Sequence, residues 1–114
     1  MTPNPSEAEE WADELERVWT EVYKKSMTTA LVLKQLLNEA KDADEIGKAF
    51  TRTTGWTISE RAMYRTLRRL ANSGVLAVEE VPAARTGAKR KLFRLTPIGA
   101  ELLSRIEGQL VVWR

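Results

Sequence analysis

The sequence predicts a mainly α-helical domain with one small β-hairpin. Apolar residues recur at helical spacing in most segments of the chain, which indicates amphipathic helices. The exception follows Gly74, where two short segments with strand-like composition flank a turn-rich connector. A chain of 114 residues makes one domain with a modest core.

Two helices are predicted in the N-terminal part of the chain. Ser6 and Glu9 match a capping box, which starts the first helix at about residue 7. That helix is expected to run to about residue 24 with an apolar stripe of Trp11, Leu15, Val18 and Val22, and with Trp19 beside it. A second helix covers roughly residues 27–40, MTTALVLKQLLNEA, and its crowded apolar residues predict the centre of the core.

A short helix is predicted next. Asp42 and Glu45 match another capping box, which opens the segment DADEIGKAF and turns Ile46 and Phe50 inward. The following residues, TRTTGW, are expected to form a turn in which Gly55 breaks the helix.

The next helix, residues 59–72, carries a concentration of arginines. Ser59 is its predicted N-cap, although Thr57 with Glu60 offers a competing start. Gly74 suits the left-handed position just after the helix. At 100° per residue, one face of this helix is a narrow apolar stripe, and the opposite face is basic; the stripe consists of Met63, Leu67 and Leu70, and the basic face of Arg61, Arg65 and Arg68.

The remaining elements are a hairpin and a last helix. The segments 75–81, VLAVEEV, and 90–95, RKLFRL, are predicted strands joined by PAARTGAK. Thr96 and Pro97 supply an N-cap and a first-turn proline for the last helix. Its predicted apolar side contains Leu102, Leu103, Ile106, Leu110 and Trp113. Two short helices that meet at a turn, the second of them basic, followed by a hairpin, predict a winged helix-turn-helix with extra N- and C-terminal helices.

The charge is distributed unevenly along the chain. The formal net charge is only +2, yet residues 1–25 sum to −4 and residues 51–95 sum to +7. Concentrated positive charge on a helix and an adjacent hairpin is typical of a nucleic-acid footprint. A solvated basic face is the structural alternative.

The composition argues against several classes of function. The sequence contains no cysteine and no histidine, so disulfides, thiolate chemistry and imidazole catalysis or metal binding are absent, and we expect no cofactor, metal site or catalytic site. The acids of the first helix, among them Glu10 and Asp13, could bind metal in principle but are expected on a solvated side, so the chain is not predicted to be an enzyme. We expect no membrane span and a cytoplasmic location, because no apolar run is long enough and no signal peptide opens the chain.

Two motifs resemble the PadR-like transcriptional regulators, a family of winged-helix proteins. MYRTLRRLANSGVL is similar to the family's apolar-Tyr-x-x-Leu-x-Arg-Leu pattern, and RKLFRLTPIG to its basic-aromatic strand ending in Leu-Thr-x-x-Gly. The resemblance covers roughly residues 27–106 and implies that residues 59–72 form the recognition helix and residues 85–91 the wing. It also implies a dimeric repressor whose C-terminal helices pair, in some members with a ligand pocket at the interface. The chain departs from the family in its short C-terminal helix and its long, tryptophan-rich N-terminal helix.

The predicted DNA contacts lie on the basic helix and the wing. Guanidinium groups bind phosphates and guanine edges, so Arg61 and Arg65, nearer the helix start, are expected to read bases, and Arg68 and Arg69 to contact phosphates. Tyr64 borders this face and could donate to phosphate or pack against a neighbouring helix. The complete predicted set is Ser59, Arg61, Tyr64, Arg65, Arg68, Arg69, Arg85, Lys89 and Arg90.

The tryptophans and their apolar neighbours predict an interface between two chains. Two terminal helices with apolar stripes carry more apolar surface than one small domain covers, although packing within one subunit or an aromatic effector pocket are alternatives. The predicted interface comprises Trp11, Leu15, Val18, Trp19, Val22, Leu103, Ile106, Leu110 and Trp113.

The resulting hypothesis divides the chain into three parts. Residues 1–25 and 97–114 are expected to dimerise the protein, and residues 26–96 to bind double-stranded DNA. The chain is expected to be a transcriptional regulator, with the repressor role that the resemblance implies. An effector ligand stays unknown at this point. The alternatives are a winged-helix module that binds another protein, and an architectural, plasmid or phage DNA-binding protein without a regulatory ligand.

Overall fold

A computed structural model describes residues 4–83 and 87–111 and contains four helices and one hairpin in those ranges. The elements are α1 (Pro5–Gln35), α2 (Ala43–Thr54), α3 (Glu60–Asn72), β1 (Leu76–Pro82), β2 (Lys89–Leu95) and α4 (Pro97–Glu107). This architecture confirms the predicted fold class, a mainly α-helical winged helix-turn-helix with additional terminal helical segments. The chain is elongated, with extents of 65 × 33 × 24 Å.

The prediction of two separate N-terminal helices is wrong, because residues 5–35 form one continuous helix of 31 residues. The segment YKKSM between the two predicted helices interrupts the apolar pattern but contains no glycine or proline to break the backbone. The predicted start is also wrong: Asn4 is the N-cap, and its side chain accepts a hydrogen bond from the Glu7 N–H at 2.9 Å. The helix ends at Gln35, five residues before the predicted end.

The helix-turn-helix is built with the predicted caps. Asp42 and Glu45 form the capping box of α2, and Gly55 ends the helix in the left-handed conformation with φ 74°. Because α2 continues to Thr54, the residues TRTT predicted as a turn belong to the helix. Ser59 caps α3, since its Oγ accepts a hydrogen bond from the Ala62 N–H at 3.1 Å, and Gly74 follows the helix with φ 82°.

The hairpin pairs antiparallel from Leu76 opposite Leu95 to Pro82 opposite Lys89. The segment before α2 pairs with β2 on the side away from β1: Lys41 and Phe93 exchange two backbone hydrogen bonds of 3.0 and 2.8 Å. Thr96 caps α4 as predicted. The helix ends at Glu107, before Gly108, and the described residues 108–111 are not helical, so the prediction that the helix continues through them is wrong.

The core lies in a globular body where the C-terminal part of α1, the other three helices and the hairpin meet. Its buried side chains come from the inner part of α1, from both helix-turn-helix helices, from the hairpin and from α4, and they are Val32, Leu33, Leu36, Ile46, Phe50, Met63, Leu67, Leu70, Val75, Leu76, Phe93 and Leu103. The outer part of α1 contributes none of these buried residues and projects beyond the body. The body thus presents α3 and the hairpin on its surface, while the outer part of α1 extends away from the core.

An aromatic chain links the projecting part of α1 to the body. Trp19 stacks on Tyr23 with ring centroids 5.0 Å apart, and Tyr23 meets Trp56 edge-on at 5.7 Å. Trp56 in turn lies 6.1 Å from the ring of Phe50 in the core. Trp56 thus packs against the core, and through Tyr23 it holds α1 beside the loop that precedes α3.

Candidate nucleic-acid interface

Helix α3 has one buried face and one basic face. Met63, Leu67 and Leu70 are buried in the core, whereas the four arginines of the helix, Arg61, Arg65, Arg68 and Arg69, are exposed. The apolar contacts hold the helix against the core, and its guanidinium groups face the solvent. Ser59, at the start of the helix, is also exposed, and its hydroxyl group is engaged in the N-cap.

The four arginines of α3 lack acidic partners within the described part of the chain. The ion pairs among described residues use other cations, such as Arg17 with Glu14 and Arg105 with Glu101, and none involves Arg61, Arg65, Arg68 or Arg69. The one acid in α3 is Glu60 in its first turn. The exposed face of α3 therefore carries positive charge that the described residues leave unneutralised, and this is a surface suited to a polyanion.

Tyr64 lies where α3 meets the hairpin. Its ring is half-buried and contacts Phe93 edge-on, with centroids 6.3 Å apart. The ammonium group of Lys91 lies 5.6 Å from the centroid of the same ring. Tyr64 thus packs against strand β2, rather than against the neighbouring helix considered in the sequence analysis, and brings a cation of the hairpin next to the basic face of α3.

The hairpin carries further exposed cations. Lys89 lies 3.7 Å from Glu80 across the hairpin and remains 76% exposed, so this contact holds it weakly. Lys91 and Arg94 on the same strand are exposed as well. Neither belongs to the predicted contact set, although their position on a basic strand that follows a basic helix is readable in the sequence. Arg85 lies outside the described residues.

Arg90, which the sequence assigns to the DNA contacts of the wing, forms ion pairs within the chain and remains 42% exposed. Its guanidinium group donates to Asp42 at 2.8 Å and to Glu45 at 2.7 Å, and so ties β2 to the start of α2. Partial burial by itself raises the pKa of the Asp42 carboxyl group, but the Glu45 N–H and the Arg90 guanidinium outweigh that effect, and the pKa is lowered overall. The two carboxylates are distant from Arg90 in the sequence, so sequence spacing does not reveal these ion pairs.

The apolar residues predicted at an interface fall into two groups. Those on the outer part of α1 are all exposed, between 50% for Val18 and 64% for Trp19. On α4, in contrast, Leu103 is 3% exposed within the core and is not available to a second chain, which corrects that prediction. Ile106 packs partly against the core, Leu110 is exposed beyond the end of α4, and Trp113 lies outside the described residues.

A metal ion and a membrane would each need a particular feature in the described ranges, a group of acids for the first and a long apolar helix for the second. Residues 4–83 and 87–111 contain no group of three or more acids that could hold a metal ion. Within the same ranges, none of the helices has both the length and the apolar content that a membrane span needs.

The sequence matches a known family over most of the body. Residues 32–105 match the model described as "Transcriptional regulator PadR-like family". The match begins inside α1 and reaches α4, so it includes the helix-turn-helix and the hairpin and leaves out the projecting part of α1. No curated protein matches the chain significantly.

Solved structures share the fold. A PadR family transcriptional regulator from Eggerthella lenta is 27% identical with a TM-score of 0.70, over 87% of this chain and 84% of that one. A PadR-like transcription factor from Bacteroides fragilis is 26% identical with a TM-score of 0.67, over 81% and 86% of the two chains. Bacillus subtilis PadR, solved in complex with operator DNA, is 18% identical with a TM-score of 0.66, over 75% of this chain and 50% of that one.

Proposed function

The chain belongs to the PadR-like family of transcriptional regulators, and from this premise we propose that it is a sequence-specific repressor that binds double-stranded DNA. In this proposal α3 enters the major groove, and the hairpin lies along the backbone or the minor groove. Bacillus subtilis PadR was solved with operator DNA, and we extend that class of partner to this chain.

The observation that carries the proposal is the row of exposed arginines on α3, which form no ion pair with any other described residue. A protein surface of ordinary composition intersperses charges of both signs, and α1 does so where Arg17 bridges Glu14 and Glu21. On α3 the described chain offers no such partners, so the phosphates of a duplex are the natural counterions. The buried opposite face keeps the helix from rotating and fixes which side meets the DNA.

The roles within this surface follow from position. Arg61 and Arg65 lie in the first two turns of α3, the part of a recognition helix that approaches base edges, and we assign them to guanine contacts. Arg68 and Arg69 lie further along and are assigned to phosphates. Lys89 and Lys91 extend the phosphate contacts onto the hairpin, and Tyr64 and Ser59 lie at the border of the surface.

A second copy of the chain completes the proposal. Dimeric helix-turn-helix proteins read two half-sites, which gives a single short recognition helix useful specificity. We assign residues 1–25 to dimerisation, residues 26–96 to DNA binding, and residues 97–114 to a supporting role at the interface. The exposed stripe of α1 supports this division, because contiguous apolar surface normally marks an interface.

The test is binding to a duplex from the region upstream of the protein's own gene, measured by fluorescence anisotropy. We expect tighter binding to that duplex than to a shuffled duplex of the same base composition, by at least about 10³-fold for a true operator. The double variant Arg61→Gln/Arg65→Gln should lose this preference, and Lys48→Gln, which removes an exposed cation of α2, should keep it. Equal affinity for both duplexes would favour an architectural DNA-binding protein, and no binding at low salt would favour a protein-interaction module.

A further inference from the structure

The exposed basic face of α3 has a different neighbour on each of its two sides. Tyr64, which packs against β2, and Arg69, which lines a cleft between α3 and α1, lie about 140° apart around the axis of α3. Arg61 and Arg65 lie between these two directions. The basic face is therefore bordered by the hairpin on one side and by the cleft and α1 on the other.

Two lysines of α1 bring positive charge to this cleft. Lys24 and Lys25 are exposed and line the cleft together with Arg65 and Arg69 of α3. Neither lysine forms an ion pair with another described residue, and the described residues that line the cleft include no aspartate or glutamate. The charge of these four cations is thus not neutralised by the residues around them, and such a surface attracts a polyanion.

On each side of α3, one lysine lies over an aromatic ring. The ammonium group of Lys24 is 5.3 Å from the centroid of the Trp56 ring, and that of Lys91 is 5.6 Å from the centroid of the Tyr64 ring. The attraction between a cation and a ring face restricts the directions that a long lysine side chain explores. Both lysines remain exposed, so each ammonium group is held beside the basic face and is accessible to a partner.

We propose that Lys24 and Lys25 bind the phosphate backbone of the duplex that α3 reads, on the strand opposite to the one that the hairpin contacts. The inference rests on the proposed function. The major groove is about 12 Å wide and an α-helix with its side chains is about 10–12 Å across, so a helix in the groove has one phosphate backbone along each side. The hairpin reaches one of these backbones, and α1 reaches the other.

This contact lies outside the part of the chain that matches the family. The match begins at residue 32, seven residues after Lys25. Because α1 is continuous from Pro5 to Gln35, one helix carries both the exposed apolar stripe and the two lysines. A second copy bound to the stripe therefore also fixes the direction from which the lysines approach the DNA.

The first experiment measures duplex affinity by fluorescence anisotropy as the salt concentration is raised. Lys24→Gln/Lys25→Gln should bind operator and shuffled duplexes more weakly to the same extent, roughly 10–100-fold at 50 mM salt, because phosphate contacts carry no sequence information. The defect should shrink towards 200 mM salt, since the variant releases fewer counterions, and the salt slope should fall by about 2–4 for a dimer. Lys24→Arg/Lys25→Arg should retain the wild-type values.

The matched control is Lys34→Gln, which removes an exposed cation from the same helix. Lys34 is paired with Glu107 and does not line the cleft, so its replacement should leave the salt slope unchanged and the affinity within about 2-fold. Equal defects in the cleft variant and the control, or a defect that salt does not alter, would overturn the proposal. A cleft variant that sediments as a monomer would assign the lysines to the contact between two chains and would also overturn it.

The second experiment locates the phosphate. Single methylphosphonate groups, which are uncharged, replace the phosphates one at a time along both strands of the operator duplex. At the phosphate that α1 binds, this change should weaken the wild-type protein and hardly affect Lys24→Gln/Lys25→Gln, because the variant has already lost the contact. Lys91→Gln should be insensitive at a different phosphate, on the other strand across the major groove. The same insensitive phosphate for both variants, or none for the cleft variant, would contradict the proposal.

The wild-type protein distinguishes a failure of this contact from a failure of the proposed function. If the wild type prefers its operator as expected and Lys24→Gln/Lys25→Gln binds it equally well, only the contact on α1 is wrong. If the wild type binds no duplex at low salt, the proposed function is wrong, and the contact on α1 is wrong with it.

Discussion

The guanidinium group of Arg90 on β2 lies 2.8 Å from the carboxylate of Asp42, the residue that caps α2. The same guanidinium reaches Glu45 at 2.7 Å, and Glu45 completes the capping box of that helix. One cation therefore connects the hairpin to the first helix of the helix-turn-helix. The hairpin is also joined at this point by the backbone pairing of Lys41 with Phe93. These contacts fix the orientation of the wing relative to α2.

Replacing Arg90 should lower stability more than replacing its neighbour. We expect Arg90→Gln to reduce the free energy of unfolding by about 1 kcal/mol, because two charge-assisted contacts of a partly exposed group are lost. Lys89→Gln should change it by less than about 0.5 kcal/mol, since the one ion pair of Lys89 among the described residues is the 3.7 Å contact with Glu80. Urea unfolding followed by circular dichroism measures both, and equal losses would mean that the Arg90 cluster contributes no stability.

Acid should remove the contribution of Asp42. Its pKa is lowered in the folded chain, so the folded state binds this proton less readily than the unfolded state. The contribution is complete above about pH 4, the ordinary range of an unfolded aspartate, and is lost as the pH falls through the lower folded-state pKa. Asp42→Asn, which retains an N-cap side chain, should be less stable than wild type at pH 7 and should approach it in stability below pH 4. A constant difference between the two proteins from pH 7 to pH 2 would contradict this account.

Local signals in the sequence predicted most of the fold. The capping box at Asp42, the N-caps Ser59 and Thr96 and the left-handed Gly55 and Gly74 all occur where the sequence places them. Each of these depends on a few adjacent residues, whose hydrogen bonds form within one turn of the chain. The two faces of α3 were predictable for the same reason, because a helix repeats its faces at a fixed angle.

Contacts between distant residues were not predictable in this way. Arg90 was assigned to DNA because nothing in its vicinity along the chain offers the carboxylates of Asp42 and Glu45. The cleft between α1 and α3, whose lining includes Lys24 and Arg65, likewise depends on how these two helices pack. The break predicted within α1 has another cause, since an interrupted apolar pattern marks a change of environment and does not require a break in the backbone.

Salt dependence should separate the roles proposed for the basic residues. Each neutralised phosphate releases counterions, so duplex affinity should fall roughly 10³–10⁵-fold between 50 and 200 mM salt if a dimer makes about 6–10 phosphate contacts. Arg61→Ala should reduce discrimination between operator and shuffled duplexes by roughly 1–3 kcal/mol. Lys89→Ala should weaken both duplexes about equally and lower the salt slope. The assignment is reversed if Lys89→Ala alters sequence preference and Arg61→Ala does not.

Two helical glycines should respond oppositely to the same substitution. Gly99 in the first turn of α4 lies so close to the Val75 carbonyl oxygen and the Leu95 side chain that an added methyl group would collide with both. Gly99→Ala should therefore cost about 1–3 kcal/mol despite the better helix propensity of alanine. Gly47 in α2 has open space around it, and Gly47→Ala should stabilise the protein by about 0.5–1 kcal/mol. Thermal unfolding compares the two, and a stable Gly99→Ala protein would show that the α4–hairpin contact can relax.

The apolar stripe of α1 continues the buried seam of the same helix. At 100° per residue, Val32, Leu33 and Leu36 fall within about 60° of Trp11, so one face of α1 is buried at its inner end and exposed at its outer end. The exposed part is spaced as a coiled-coil seam of Trp11, Leu15, Val18 and Val22. We expect a second copy of α1 to cover it, because a helix of about 46 Å leaves more than half of its length without contacts in the core.

The residues beside this seam favour parallel pairing of the two α1 helices. Glu14 and Glu21 flank one side of the seam, and Ala12 and Trp19 flank the other. In an antiparallel pair, the glutamates of one helix would face the glutamates of the second helix. In a parallel pair, they face Ala12 and Trp19 of the second helix instead. Arg17 offsets part of that charge within each helix, since it contacts both glutamates. The orientation therefore depends on the remaining repulsion together with the packing of Trp19.

Polar substitutions in the seam should dissociate the dimer. Leu15→Gln/Val18→Gln should sediment as a monomer and weaken operator binding, although α3 is untouched, whereas Thr20→Gln on the opposite face should remain dimeric. Because the chain has no cysteine, a single Ala8→Cys reports the orientation: parallel helices bring the two thiols together and form a disulfide at low protein concentration, and antiparallel helices keep them apart. Asp13→Cys, which points away from the seam, is the control for random oxidation. A seam variant that stays dimeric and binds its operator normally would assign pairing to the C-terminal segment and leave α1 as an accessory.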